Sequence, residues 1–268
     1  MSLRSIKLAG KQMLLDLPGP LSNVVVSLAC AARVASPTFR AYHRLGRPTR
    51  VLSGPFVGMN YVPIAVGSAW LAKIVGTYER ELHPHLDRLK GEPCDVVVDV
   101  GSAEGYFAVG LTRMLDAPRA YCFDTDPWAG RVLARIAGIN SLNDRMVPGG
   151  FCRPADLEAV LAPARNPLVI SDCEGGELDL LDPVAVPELR RARIVVEIHD
   201  FDGATRIGQA IRGRFDPTHD IVDVPIEPRT ISDFPPGIGS AMTDEEKLCA
   251  MDEWRSAAPG WLVLRPRS

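Results

Sequence analysis

The chain has 268 residues, 46% hydrophobic and 24% charged, long enough for one large domain or one domain with an elaborated end. A formal net charge of −3 speaks against a nucleic-acid binder, which is usually basic. The six cysteines contain no C-x-x-C pair and no zinc-ligand spacing, which fits reduced thiols in a cytoplasmic protein.

Arg4, Lys7 and Lys11 precede an apolar stretch from Leu21 to Ala32, the outline of a signal peptide. Asp16, Pro18, Gly19 and Pro20 interrupt that outline, and the stretch is too short for a bilayer span, which takes about 20 apolar residues. A packed or membrane-grazing helix over Leu21–Val34, without stable membrane insertion, is the expectation. A second helix is predicted over Trp70–Leu89, broken or kinked at Pro84. Between them Ser53–Tyr61 is turn-rich and aromatic, which suits a loop or short hairpin packed on a domain. His83 and His85 flank Pro84 and are expected at the surface. Residues 1–90 thus form an N-terminal helical extension, ahead of a domain over 91–268.

From Asp95 short β-rich runs alternate with helical patterns. Strands are predicted at Asp95–Val100, Ala120–Asp124, Arg145–Val147, Leu168–Ser171, Ile194–Ile198, Ile221–Val224 and Trp261–Leu264. Phe107, Leu111, Met114 and Leu115 fall on one helical face, Asp156 can cap a helix through Leu161, and Gly203–Phe215 reads as another helix. The alternation predicts an α/β fold, a parallel sheet covered on both faces. The segment 226–260 reads as an insertion, with a helix near Asp244–Arg255. A loop this long is usually functional or makes a subunit contact, so a homodimer is possible.

The most informative stretch is Val96–Phe107. Three valines lead to Asp99, and Gly101 and Gly105 follow before an amphipathic segment. Gly101 permits a backbone that a Cβ would oppose, and Gly105 lets the helix start lie close to the sheet or ligand. The helix start offers unpaired N–H groups. A dinucleotide fingerprint would read G-x-G-x-x-G, with its middle glycine admitting pyrophosphate. Ala103 stands there instead, which argues against NAD or FAD and for a cofactor without phosphates. Asp124 ends the second strand, where an acid about 20 residues beyond the turn accepts hydrogen bonds from ribose hydroxyls. Asp126 is the alternative acid, and a helix cap is the alternative role.

The turn Asp99-x-Gly101-x-x-x-Gly105, Asp124 and the seven strands resemble the class I S-adenosylmethionine-dependent methyltransferases, over about 95 to 265. The resemblance implies a Rossmann-like, seven-stranded doubly wound sheet with its last strand antiparallel. It also implies S-adenosylmethionine as cofactor, held by Asp99, Gly101, Ser102, Ala103, Gly105, Asp124 and Thr125. Phe151 lies where the family places adenine contacts.

Two further runs narrow the likeness. Ser171-Asp172-Cys173-Glu174-Gly175-Gly176-Glu177 closes the fourth strand, and Glu197-Ile198-His199-Asp200 closes the fifth. They look like the D-x-E-G-x-E and E-x-H patterns of FkbM-type methyltransferases. Membership would imply O-methylation of a sugar, polyketide or related small metabolite. Carboxyl ends of parallel strands share one crevice, so Asp172 and His199 can converge. An unperturbed histidine titrates near 6.5, which suits His199 to work as a general base. Glu197 shares its strand face and could orient the ring. Asp172 could bind substrate hydroxyls, help hold the ring, or touch the cofactor. Favourable charge in the first helical turn is the alternative role for Glu174 and Glu177, with Glu177 the less expected in a direct role. Asp172, Glu174, His199 and Asp200 could also hold a divalent cation, as catechol-type enzymes do, but the required ligand trio is not evident and no metal is assigned. A non-catalytic cofactor-binding protein and a nicotinamide oxidoreductase are the rival readings.

Overall fold

The computed structural model describes residues 37–200, 206–253 and 260–267. The expected Leu21–Val34 helix lies outside them. In chain order the first elements are α1 (Pro37–Arg44), α2 (Trp70–Val75) and α3 (His83–Asp87). Then come β1 (Val96–Val100), α4 (Tyr106–Leu115), β2 (Ala120–Phe123), α5 (Pro127–Ile139) and β3 (Met146–Gly149). The middle of the chain forms α6 (Pro154–Leu161), β4 (Pro167–Ser171), α7 (Glu177–Leu180) and β5 (Arg193–Glu197). The last elements are α8 (Arg206–Phe215), β6 (His219–Val224), α9 (Asp244–Met251) and β7 (Trp261–Pro266).

The strands form one seven-stranded sheet in the order β3-β2-β1-β4-β5-β7-β6. All neighbours run parallel except β7, which lies antiparallel between β5 and β6. This is a Rossmann-like, doubly wound α/β sheet, and each of the seven predicted strands is present within a few residues of its expected bounds. Every residue of β1, β4 and β5 is buried, as a strand covered on both faces requires. Val97 points to one core and Val96 and Val98 to the other. The first core also takes Tyr42, Phe56, Tyr61, Leu82 and Leu86, so residues before the sheet share its packing. The second is filled by Leu157 and Leu161 of α6 and by Ile211 and Phe215 of α8.

Local differences have local causes. The predicted Trp70–Leu89 helix is three pieces: α2 ends at Gly76, whose N–H closes on the Ala72 carbonyl at 2.9 Å, a 3₁₀ turn spans Arg80–Leu82, and α3 follows. Pro84 stands in the first turn of α3, where its missing N–H costs nothing. His83 is half-buried against the Tyr78 carbonyl at 3.1 Å rather than at the surface. Ser53–Tyr61 is the expected short hairpin-like loop, closed by an Arg50–Asn60 bridge, with Phe56, Met59 and Tyr61 buried. Helix α6 starts at Pro154, and Asp156 acts from its third position by accepting the Arg153 N–H at 2.9 Å. Helix α9 opens with a reciprocal cap between Thr243 and Glu246 and ends at Met251, short of the predicted Arg255. Among the described residues, the five cysteines are unpaired and no helix is long and apolar enough to cross a membrane.

Candidate functional site

The strand order reverses between β1 and β4, and that switch point is where open α/β sheets bind ligands. Val100 pairs with Ser171 there, and the Asp172 N–H donates to the Val100 carbonyl at 2.8 Å. The two strand ends therefore leave the sheet side by side. Gly101 sits at φ +81°, and a Cβ on it would stand 1.7 Å from the Asp172 carbonyl oxygen. Only glycine lets β1 turn this close to β4.

The turn is held by hydrogen bonds at each step. Gly101 and Ser102 donate to the Phe123 carbonyl at 2.9 and 3.0 Å, and Gly105 donates to the Ser102 carbonyl at 2.7 Å. Ala103 occupies the left-handed region at φ +46°, and its N–H donates to Asp124 Oδ2 at 2.8 Å. Gly105 begins α4 against Leu133 of α5, so its lack of a side chain serves a neighbouring helix rather than the sheet.

The two candidate acids after β2 make different hydrogen bonds. Asp126 caps α5, accepting the Trp128 N–H at 2.9 Å. Asp124 accepts from Ala103 with one oxygen and from the Asp126 N–H at 2.7 Å with the other. Both acids line a cleft of about 480 Å³, together with Ser102, Thr125, Gly149 and Phe151. That volume suits a small ligand. Phe151 is 66% exposed at the lip, an aromatic face open to a flat ring.

The other sequence-predicted residues are placed differently. Gly101, Ala103 and Gly105 shape the turn beside the cleft. Asp99 is buried beneath it, with Oδ2 lacking a hydrogen-bond partner among the described residues. Burial pushes its carboxyl up to about 8, and the charges of Asp172 and Asp124 add to this against a backbone hydrogen bond from Ala108.

Asp172 and His199 do converge: His199 Nε2 lies 3.5 Å from Asp172 Oδ1 and 3.7 Å from Glu197 Oε2. The ring, however, is oriented by Glu177. His199 Nδ1 meets Glu177 Oε1 at 2.6 Å, and the Glu177 side chain is fully buried. Strand periodicity pointed to Glu197 for this task. The chain instead bends at Glu174 and Gly175, both at positive φ, and returns Glu177 to the end of β5. The available signal was an acid opening a helix just after a double glycine at a strand end.

Electrostatics follow from four carboxylates around one imidazole. Burial lowers the His199 pKa, but the Glu177 hydrogen bond and the charges of Asp172, Glu177 and Glu174 outweigh it, so the net direction is up. Glu197 is pushed up to about 10 by burial, then by the charge of Asp172 and a hydrogen bond to it. Burial and the neighbouring charge thus both favour the neutral form of Glu197. Burial raises Asp172 as well, against the pull of His199. Asp172, Glu174 and His199, three of the four residues named from the sequence as possible cation ligands, offer ligand atoms within 4.8 Å of one another. Asp200 is engaged otherwise, accepting the Ile207 N–H at 2.8 Å at the start of α8.

No family model matches the chain, and no curated protein sequence does. Solved structures are similar to it. An rRNA methylase from Streptococcus thermophilus is 14% identical over 70% of this chain and 98% of its own, with a TM-score of 0.45. The O-methyltransferase TomG of Streptomyces achromogenes, solved with SAM, is 12% identical over 74% and 90%, with a TM-score of 0.43. A putative precorrin-6Y C5,15-methyltransferase domain from Corynebacterium diphtheriae is 18% identical over 71% and 98%, with a TM-score of 0.42. At such identities and scores these likenesses decide neither activity nor substrate for this chain.

Proposed function

We propose that this protein transfers the methyl group of S-adenosylmethionine to a hydroxyl of a small metabolite such as a sugar or polyketide, in the manner of the FkbM-type enzymes its strand-end motifs resemble. The observation that carries the reading is a cleft walled by Asp124 at the carboxyl ends of β1 and β2, with the buried Glu177–His199 pair at the neighbouring ends of β4 and β5. The residues fit the donor. Each Asp124 oxygen spends one lone pair on a backbone N–H and keeps another for a ribose hydroxyl. Phe151 offers a stacking face for adenine.

When bound, the donor supplies an electrophilic methyl group on a sulfonium. His199 takes the hydroxyl proton at Nε2 while Glu177 holds Nδ1–H, fixing tautomer and ring angle. The imidazole works in its neutral form, which a bound cation in the site would favour. Asp172, hydrogen-bonded to Glu197 and beside the imidazole, would hold an acceptor hydroxyl.

Calorimetry with S-adenosylhomocysteine tests the donor site. Wild type binds, and Asp124→Ala, losing two hydrogen bonds to a carboxylate of about 1.5–3 kcal/mol each, weakens binding about a hundredfold or more. A wild type that does not bind refutes the reading. His199→Ala keeps the affinity and loses methyl transfer in a metabolite screen; transfer by no acceptor with wild type marks a non-catalytic binder. A second reading, cation-dependent transfer, is favoured by the Asp172, Glu174 and His199 grouping. It requires that magnesium or manganese restore activity after chelation.

A further inference from the structure

We propose that Glu104 is a positioning residue, through which the segment Tyr61–Lys73 sets the shape of the donor turn. This rests on the methyl-donor reading and adds a part to that site from outside the sheet. Glu104 lies inside the turn, between Ala103 and Gly105, and is fully buried. No backbone group of the turn uses its carboxylate. Three donors from one preceding segment converge on it instead: Tyr61 Oη and Lys73 Nζ on Oε1, each at 2.5 Å, and the Val66 N–H on Oε2 at 2.8 Å.

The rest of this cluster leaves little freedom. Lys73 Nζ donates to Ser68 Oγ at 2.7 Å and stands 4.5 and 5.4 Å from the ring centroids of Tyr78 and Tyr106. Tyr61 and Tyr78 meet Tyr106, the first residue of α4, edge-on at 5.8 and 5.5 Å. The turn is thus gripped from both sides. Asp124 takes the Ala103 N–H on the cleft side, and the Tyr61–Lys73 segment takes the Glu104 carboxylate on the buried side. Between these grips Ala103 is held at φ +46°, a conformation an alanine does not keep unless its surroundings impose it. A ligand that needs the Ser102–Asp124 wall in this geometry is therefore linked to the order of Tyr61–Lys73, and by thermodynamic reciprocity the segment is linked to the ligand.

The test uses the full chain and S-adenosylhomocysteine. In wild type, ligand binding slows amide hydrogen exchange at 61–73, Val66 included, although that segment does not line the cleft. In Glu104→Gln the Kd rises about five- to a hundredfold and the protection at 61–73 disappears. Should Glu104→Gln not fold, Tyr61→Phe removes one donor alone; it lowers melting by the loss of one buried hydrogen bond and raises the Kd by a smaller factor than Glu104→Gln. The neutral pair Lys73→Met/Glu104→Gln separates positioning from stability: melting recovers while the Kd stays raised. Exchange at 61–73 that ignores bound ligand overturns the proposal, as does a Kd that returns with melting in the neutral pair. A wild type that binds no S-adenosylhomocysteine is a different outcome, and refutes the donor reading beneath it.

Discussion

Glu177→Gln isolates the electrostatics of the site without needing the acceptor. Glu177 Oε1 lies 2.6 Å from His199 Nδ1, and the two side chains are 0% and 10% exposed, so solvent screens the pair little. A hydrogen bond to a charged partner contributes about 1.5–3 kcal/mol, and the glutamine keeps the shape while giving up the charge. Proton binding by His199 should weaken about ten- to a hundredfold. Burial, which already pulls the ring toward its neutral form, then has less opposition. The assay is NMR titration of the imidazole protons, resolved among the chain's five histidines. Wild-type His199 titrates above 6.5 and the variant clearly lower. The sign carries to stability. A folded-state pKa raised above the unfolded value gives stability that is complete below pH 6.5 and lost as pH rises through the folded value. The melting gap between wild type and Glu177→Gln is therefore widest in mild acid and narrows toward alkaline pH. An unchanged His199 titration in the variant refutes the assignment of Glu177 as the group that raises it.

Gly101→Ala should destabilise by about 3 kcal/mol or more in urea unfolding, because its Cβ would meet backbone at 1.7 Å and its φ is +81°; a near-neutral result would contradict the close approach of β1 and β4. Asp99 is held protonated to about pH 8, so the folded state binds the extra proton and wild type loses stability as pH climbs from about 4 toward 8. Asp99→Asn should flatten that decline in melts across pH, and a parallel decline would count against the buried neutral carboxyl. Phe151→Ala leaves melting within about 0.5 kcal/mol, since the ring is exposed, and weakens S-adenosylhomocysteine by about tenfold if adenine stacks on it.

The strand run Val96–Val100, its acid and its two glycines determine a buried strand turning sharply into a helix, and the alternation from Asp95 onward determines an α/β sheet. These features are written within a few consecutive residues, in periodicity and turn chemistry, and they survive folding almost unchanged. The break of the Trp70–Leu89 helix at Gly76 was less legible, because a single glycine inside an apolar pattern does not by itself end a helix. Which acid caps a helix and which ties down the glycine turn was decided in three dimensions: Asp126 meets the Trp128 N–H, and Asp124 meets Ala103, 21 residues back. The same holds for Glu177, 22 residues before the imidazole it holds, and for Glu104, whose donors lie 31 to 43 residues upstream. Local sequence sets dihedrals and faces. Partners across β1–β4 and β4–β5, or between the turn and the segment before the sheet, exist only once the strands are in order, because adjacency in the sheet, not in the chain, brings those charges within hydrogen-bond reach.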